Sequence, residues 1–167
     1  MRRMSLPVRL CTRQYRASLS QLFGSYGLRV ERIETGNSIP GSYWGDSEAG
    51  LIGDALFLRD DTPLHSALHE GCHYICMDEA RRAVLHTDAG GDIPEENAVC
   101  YLQSLLANDV RDYDSERLWA DMDSWGYSFR LGSARAWFEQ DAADACSWLQ
   151  TYRLIDPARR PTGHLRS

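Results

Sequence analysis

The stretch that most constrains this chain is His69-Glu70-Gly71-Cys72-His73, an H-E-x-x-H pentapeptide inside the apolar run Leu64 to Met77. That run reads as a helix continuing to about Asp78. On a helix, positions i and i+4 share a face one turn apart, so His69 and His73 can direct ring nitrogens at one metal ion. Glu70 lies one residue round, where it can take a proton from a metal-bound water without being a ligand. With five His and nine Glu in 167 residues, the pentapeptide arises by accident in about one such chain in a hundred. Its surroundings therefore have to carry the argument.

Those surroundings read as α+β. Tyr15, Leu19, Leu22, Phe23 and Tyr26 mark a core-facing N-terminal helix, with Thr12 as a candidate N-cap. Leu28 to Glu34 starts with strand alternation. Leu51-Ile52 and Ala55 to Leu58 flank Gly53-Asp54, a pair suited to a tight hairpin turn. Two or three antiparallel strands, a short sheet, should thus precede the motif helix. For that helix Asp60-Asp61-Thr62 offer capping oxygens, and Pro63 suits the first helical position. Residues 79 to 91 read as irregular. A further helix opens near Pro94 and carries Ala98, Val99, Tyr101, Leu102, Leu105 and Leu106.

The remainder is mainly helical. Asp109 to Asp123 is acidic, with Leu118, Trp119 and Met122 as an apolar stripe and the acids read as a solvated face. Ser133 caps a last long helix bearing Trp137, Phe138, Ala145, Trp148, Leu149 and Tyr152. We expect one domain over residues 1–155 and a mobile tail over 156–167.

Charge narrows the function classes. All 18 basic residues are Arg, and 24 acids leave a net charge of −6, which opposes a broad nucleic-acid or anionic-membrane surface. Arg2, Arg3, Arg9, Arg13, Arg16 and Arg29 precede the first acid, Glu31; such a start can be a transit peptide, but its helical stripe favours a folded segment. No run approaches a membrane span. Five cysteines, two of them in or beside the motif, suit a reducing compartment, and the cytoplasm is expected.

A catalytic zinc needs a third protein ligand and an open position for water; two His and a carboxylate form such a set. Glu95 and Glu96 lie 22 and 23 residues beyond His73, in the first turn of the next expected helix. That spacing resembles the gluzincin-type zinc peptidases. Within them, Glu95-Glu96-Asn97-Ala98-Val99-Cys100-Tyr101-Leu102 followed by Leu105-Leu106 is distantly similar to the second helix of the ImmA/IrrE-type metallopeptidases. The likeness spans residues 50 to 107; Val99 and Leu102 depart from its pattern.

The register of that resemblance implies Glu95 as third ligand. If instead Asp92 caps the helix with Glu95 in a capping box, Glu96 becomes the ligand. His65 continues the His spacing, but three residues spanning about 12 Å of straight helix do not converge on one ion, and we read it as a supporting or surface residue. Cys72 and Cys76 read as small buried residues. His86 and His164 carry no motif.

These residues lead to an expected zinc-dependent peptidase acting on a peptide or protein, with Glu70 as general base and the exposed edge of the strand pair holding extended substrate. The alternative is a non-catalytic module on the same helix pair, with structural zinc or no metal, working through a protein partner.

Overall fold

In a computed structural model residues 7–167 are described. The cationic start falls partly on Arg2 and Arg3, which lie outside the described residues. Helix α1, Arg13–Gly24, buries Tyr15, Leu19 and Phe23 at the expected spacing. Thr12 occupies its N-cap without a side-chain cap bond.

Three strands follow, β1 (Arg29–Arg32), β2 (Gly50–Ile52) and β3 (Ala55–Leu58), in the order β1-β3-β2. The hairpin β2–β3 is antiparallel and turns through Gly53, whose φ of +57° suits a residue without a Cβ. The sheet is nonetheless mixed. β1 pairs with β3 in parallel, Arg29 opposite Ala55 and Arg32 opposite Leu58. The long excursion through residues 33–54 supplies the crossover that a parallel pair requires, and strand alternation alone carries no direction.

The outer edge of β2 is also not free. Leu51 N donates to Gly41 O, while Leu51 O accepts from Thr87 N at 2.9 Å and Gly53 N donates to Leu85 O at 2.9 Å. The expected docking edge is thus occupied by the chain's own loops on the β2 side.

The motif helix is α2, Leu64–Cys76, and every residue of it except His69 is buried. A helix buried nearly all round belongs at the centre of a fold, even though His65, Ser66, Glu70 and His73 are among its buried residues. Its start differs from expectation. Pro63 stands at the cap itself, Leu64 N donates to Arg9 O, and Asp60 and Asp61 are taken up by Arg16, Arg32 and Arg59. Asp78 then caps a short helix, α3 (Glu79–Ala83), inside the stretch expected to be irregular.

Helix α4, Ile93–Leu106, starts at Asp92, whose carboxylate accepts from Glu95 N at 3.0 Å, and packs along α2. Helix α5, Ser115–Trp125, ends at Gly126 with φ +107°. One of its acids is not solvated: Asp121 is 1% exposed and accepts from Arg117, Tyr113 and the Arg9 backbone. The last expected helix is two, α6 (Ala134–Gln140), capped by Ser133, and α7 (Ala143–Thr151), parted at Asp141-Ala142.

The tail over 156–167, expected to be mobile, has no buried residue, and its end meets the end of α2. Arg166 N donates to Ile75 O at 3.1 Å, and its guanidinium donates to Cys76 O and stacks over Tyr152 and Trp148. Arg82 takes the Tyr74 carbonyl. The two arginines thereby satisfy the carbonyls that end α2, which a short apolar helix leaves without partners. No helix among the described residues is long and apolar enough to cross a membrane.

Candidate metal centre

His69 and His73 project from one face of α2 with their Nε2 atoms 3.1 Å apart. From α4 the carboxylate of Glu96 brings Oε2 to 3.5 Å from His73 Nε2. The ligand-capable atoms of the three residues lie within 4.8 Å of one another. Around a tetrahedral zinc with bonds of about 2.0–2.1 Å, ligand atoms stand about 3.3 Å apart. The donor set and its two short spacings therefore fit a divalent ion of the zinc type, while a His–His–carboxylate set does not single out zinc among borderline metals.

The carboxylate that meets the histidines is Glu96, not Glu95. Both oxygens of Glu95 are already taken: Oε1 accepts from Arg81 at 2.7 Å and from Arg166 at 2.9 Å, and Oε2 accepts from Arg81 at 2.9 Å. Glu95 faces the end of α2, 2% exposed. Of the two expected candidates the structure thus turns Glu96, and not Glu95, toward the histidines, and the physical reason is one helical step: consecutive residues on α4 diverge by about 100°. Asp92 caps Glu95 N as a capping box would have it, but the Glu95 side chain does not return to the cap. On Glu96 one oxygen accepts from Gly91 N at 3.0 Å, which leaves the other for the histidine pair.

Gln103, two turns on from Glu96, sets the orientation of His69. Its amide nitrogen donates to the His65 carbonyl at 2.9 Å, so its oxygen must be the atom 2.9 Å from His69 Nδ1. An amide oxygen only accepts, so Nδ1 of His69 carries the proton and Nε2 keeps its lone pair, the tautomer a metal ligand needs. His73 has no such support. Its Nδ1 is buried without a partner. Gln103 escaped the sequence reading, although a polar residue seven positions after Glu96 on an apolar helix was a usable signal.

Burial holds both histidines neutral: it pushes His69 below its ordinary pKa, opposed by the Gln103 bond, and pushes His73 well below. Neutral imidazole is the metal-binding form. Glu70 is buried beside them and is pushed up to about 8 by burial first, then by the charges of Glu48 and Glu96. A nearby divalent cation would favour its ionised form. His65 is fully buried against Trp125 and Tyr127 and lies outside the triad, its two ring nitrogens unpaired. Cys72 and Cys76 are fully buried and also outside it. His86 bonds Thr87 on the surface.

Three cavities converge on His69. One of about 260 Å³ runs between Trp44, Glu70, His73 and the loop Thr87 to Gly90. One of about 570 Å³ passes Glu96 and Tyr127 toward Arg130, Trp137 and Asp144. The third, of about 410 Å³, lies between Trp44, Trp125 and Tyr127. Tyr127 stands between two of them, its ring 5.9 Å from that of His69; nothing in its local sequence signalled this. The site is thus open to ligand from several sides, as a pocket of a few hundred Å³ beside polar groups commonly is.

No family model, curated protein or solved structure matches this chain.

Proposed function

We propose that this protein is a zinc-dependent peptidase whose metal is held by His69, His73 and Glu96, with Glu70 as general base. The observation that carries the reading is the convergence of two neutral imidazoles and one free carboxylate oxygen at ligand spacing, beside a buried acid that belongs to no ion pair among the described residues and lines two cavities that reach His69. A structural site closes its coordination and has no use for a neighbouring base.

When bound, zinc would supply an acidified water and a polarised scissile carbonyl. The chain's own residues would do the rest. Glu70 accepts the proton of the attacking water and passes it to the leaving amine. Gln103 keeps His69 in the coordinating tautomer. With the β2 edge occupied, extended peptide would be held in the clefts that meet at His69.

Elemental analysis of the purified protein, paired with hydrolysis of a mixed peptide library, tests this. We expect about one zinc per chain, lost in His69→Ala and Glu96→Ala, and retained in Glu70→Gln with hydrolysis abolished. Turnover that survives Glu70→Gln removes the mechanism. No zinc uptake by the wild type removes the peptidase reading and favours the non-catalytic, partner-binding one.

A further inference from the structure

The third cavity at His69 differs from the others in its walls. Trp44, Trp125 and Tyr127 give it three aromatic side chains; Ser66 and Glu48 are its other polar side chains beside His69 and Glu70, and no arginine among the described residues lines it. Glu48 Oε1 accepts from the indole N–H of Trp125 at 3.0 Å, which fixes the carboxylate against the aromatic wall and is its one side-chain hydrogen bond among the described residues. Its charge reaches inward, being among the causes that raise Glu70 and Tyr127. Trp44 is 74% exposed and Trp125 46% exposed, so large aromatic surface is held in water at the mouth of a cavity. Single exposed aromatics are ordinary; two that share a cavity with an unneutralised carboxylate are a recognition surface.

We propose that this cavity is the specificity pocket for a cationic side chain, arginine or lysine, of the peptide residue adjoining the scissile bond. This substrate class rests on the peptidase reading above. Aromatic faces attract an ammonium or guanidinium through their quadrupole, best over tryptophan, and Glu48, held on the Trp125 indole, supplies the full opposite charge in the same cavity. A cavity of about 410 Å³ bordered by His69 and Glu70 receives the side chain of a residue whose backbone lies at the reacting centre. An apolar side chain there would leave Glu48 partly desolvated and unpaired, so the pocket selects against it as well as for a cation. The chain's net charge of −6, with no lysine, adds a long-range attraction for basic peptides.

Binding is the test, since it needs no turnover. Metal-free full-length protein is titrated, by calorimetry and indole fluorescence, with short blocked Ala/Gly peptides that differ only in one central residue: arginine, lysine, citrulline or norleucine. The arginine and lysine peptides should bind about tenfold more tightly than the norleucine and citrulline peptides. Glu48→Gln keeps an oxygen for the Trp125 indole and removes the charge; it should bring the ratio down to the about threefold that the rings alone supply. Trp44→Ala, at an exposed position, should lower binding of the cationic peptides by about threefold with an unchanged circular dichroism spectrum. Equal binding of norleucine, a ratio undiminished by Glu48→Gln, or no binding of the cationic peptides at millimolar concentration overturns the proposal. Zinc content and hydrolysis measured on the same protein before the metal is stripped separate the two readings. Zinc-dependent cleavage without basic preference removes only the pocket. Basic preference in a protein that takes up no zinc removes only the peptidase.

Discussion

Glu95 and Glu96 are consecutive on α4 and face opposite chemistries: Glu95 is closed between Arg81 and Arg166, and Glu96 points one free oxygen at His73. Their substitutions should separate accordingly. Glu96→Gln should lose the metal with little loss of stability, because its side chain is 39% exposed. Glu95→Gln should retain the metal and cost about 2 kcal/mol, a value below that of a fully buried pair because Arg81 is partly solvated. Zinc content and urea midpoints check both; metal loss in Glu95→Gln at full stability would reverse the assignment.

Gln103 joins the His65 carbonyl to His69 Nδ1. Gln103→Leu removes the bond that selects the coordinating tautomer, and metal affinity should fall by about 10–100-fold. Competition with a zinc-sensitive dye measures it. An unchanged affinity would mean that α2 alone orients the ring.

Gly71 is inside the pentapeptide for a packing reason. A Cβ there would sit 2.1 Å from the ring of Phe23, a fully buried residue of α1. Gly71→Ala should therefore destabilise by about 1–3 kcal/mol from overpacking, less a gain of up to about 1 kcal/mol in helix propensity. Phe23→Leu in the same chain should recover part of the loss. Thermal unfolding of the single and double variants decides it, and a stabilised Gly71→Ala would contradict the contact.

Burial pushes His65 down to about 3, from an ordinary 6.5. Below pH 6.5 the unfolded chain binds a proton that the folded protein refuses, so His65 makes stability fall as pH drops from 6.5 toward about 3. The slope is at most about 1.4 kcal/mol per pH unit. His65→Leu also removes two unpaired buried nitrogens. It should gain about 1 kcal/mol at pH 7 and lose less between pH 6.5 and 4. Urea midpoints across that range test it; an acid slope as steep as the wild type's would locate the proton uptake elsewhere.

Much of the architecture was legible because its causes are local. The spacing of Tyr15, Leu19 and Phe23, the turn at Gly53, the Asp92 cap and the cap at Ser133 are read from a few neighbouring residues and recur in the fold. The split between α6 and α7 was missed because apolar spacing continues across Asp141-Ala142 although the backbone does not. The parallel pairing of β1 with β3 was missed because period-two alternation looks the same in either direction.

The sequence alone determined that two histidines share one face of a helix with an acid one residue round from them, and that a second helix bearing Glu95 and Glu96 follows. Both follow from a period of 3.6 residues, which is a property of the local backbone. The tertiary structure decided which glutamate turns to the histidines. That choice depends on Arg81 and on Arg166, 71 residues beyond Glu95, whose charges claim one carboxylate and leave the other free. Partners brought together by packing are invisible to periodicity, and electrostatic pairing acts on distance in space.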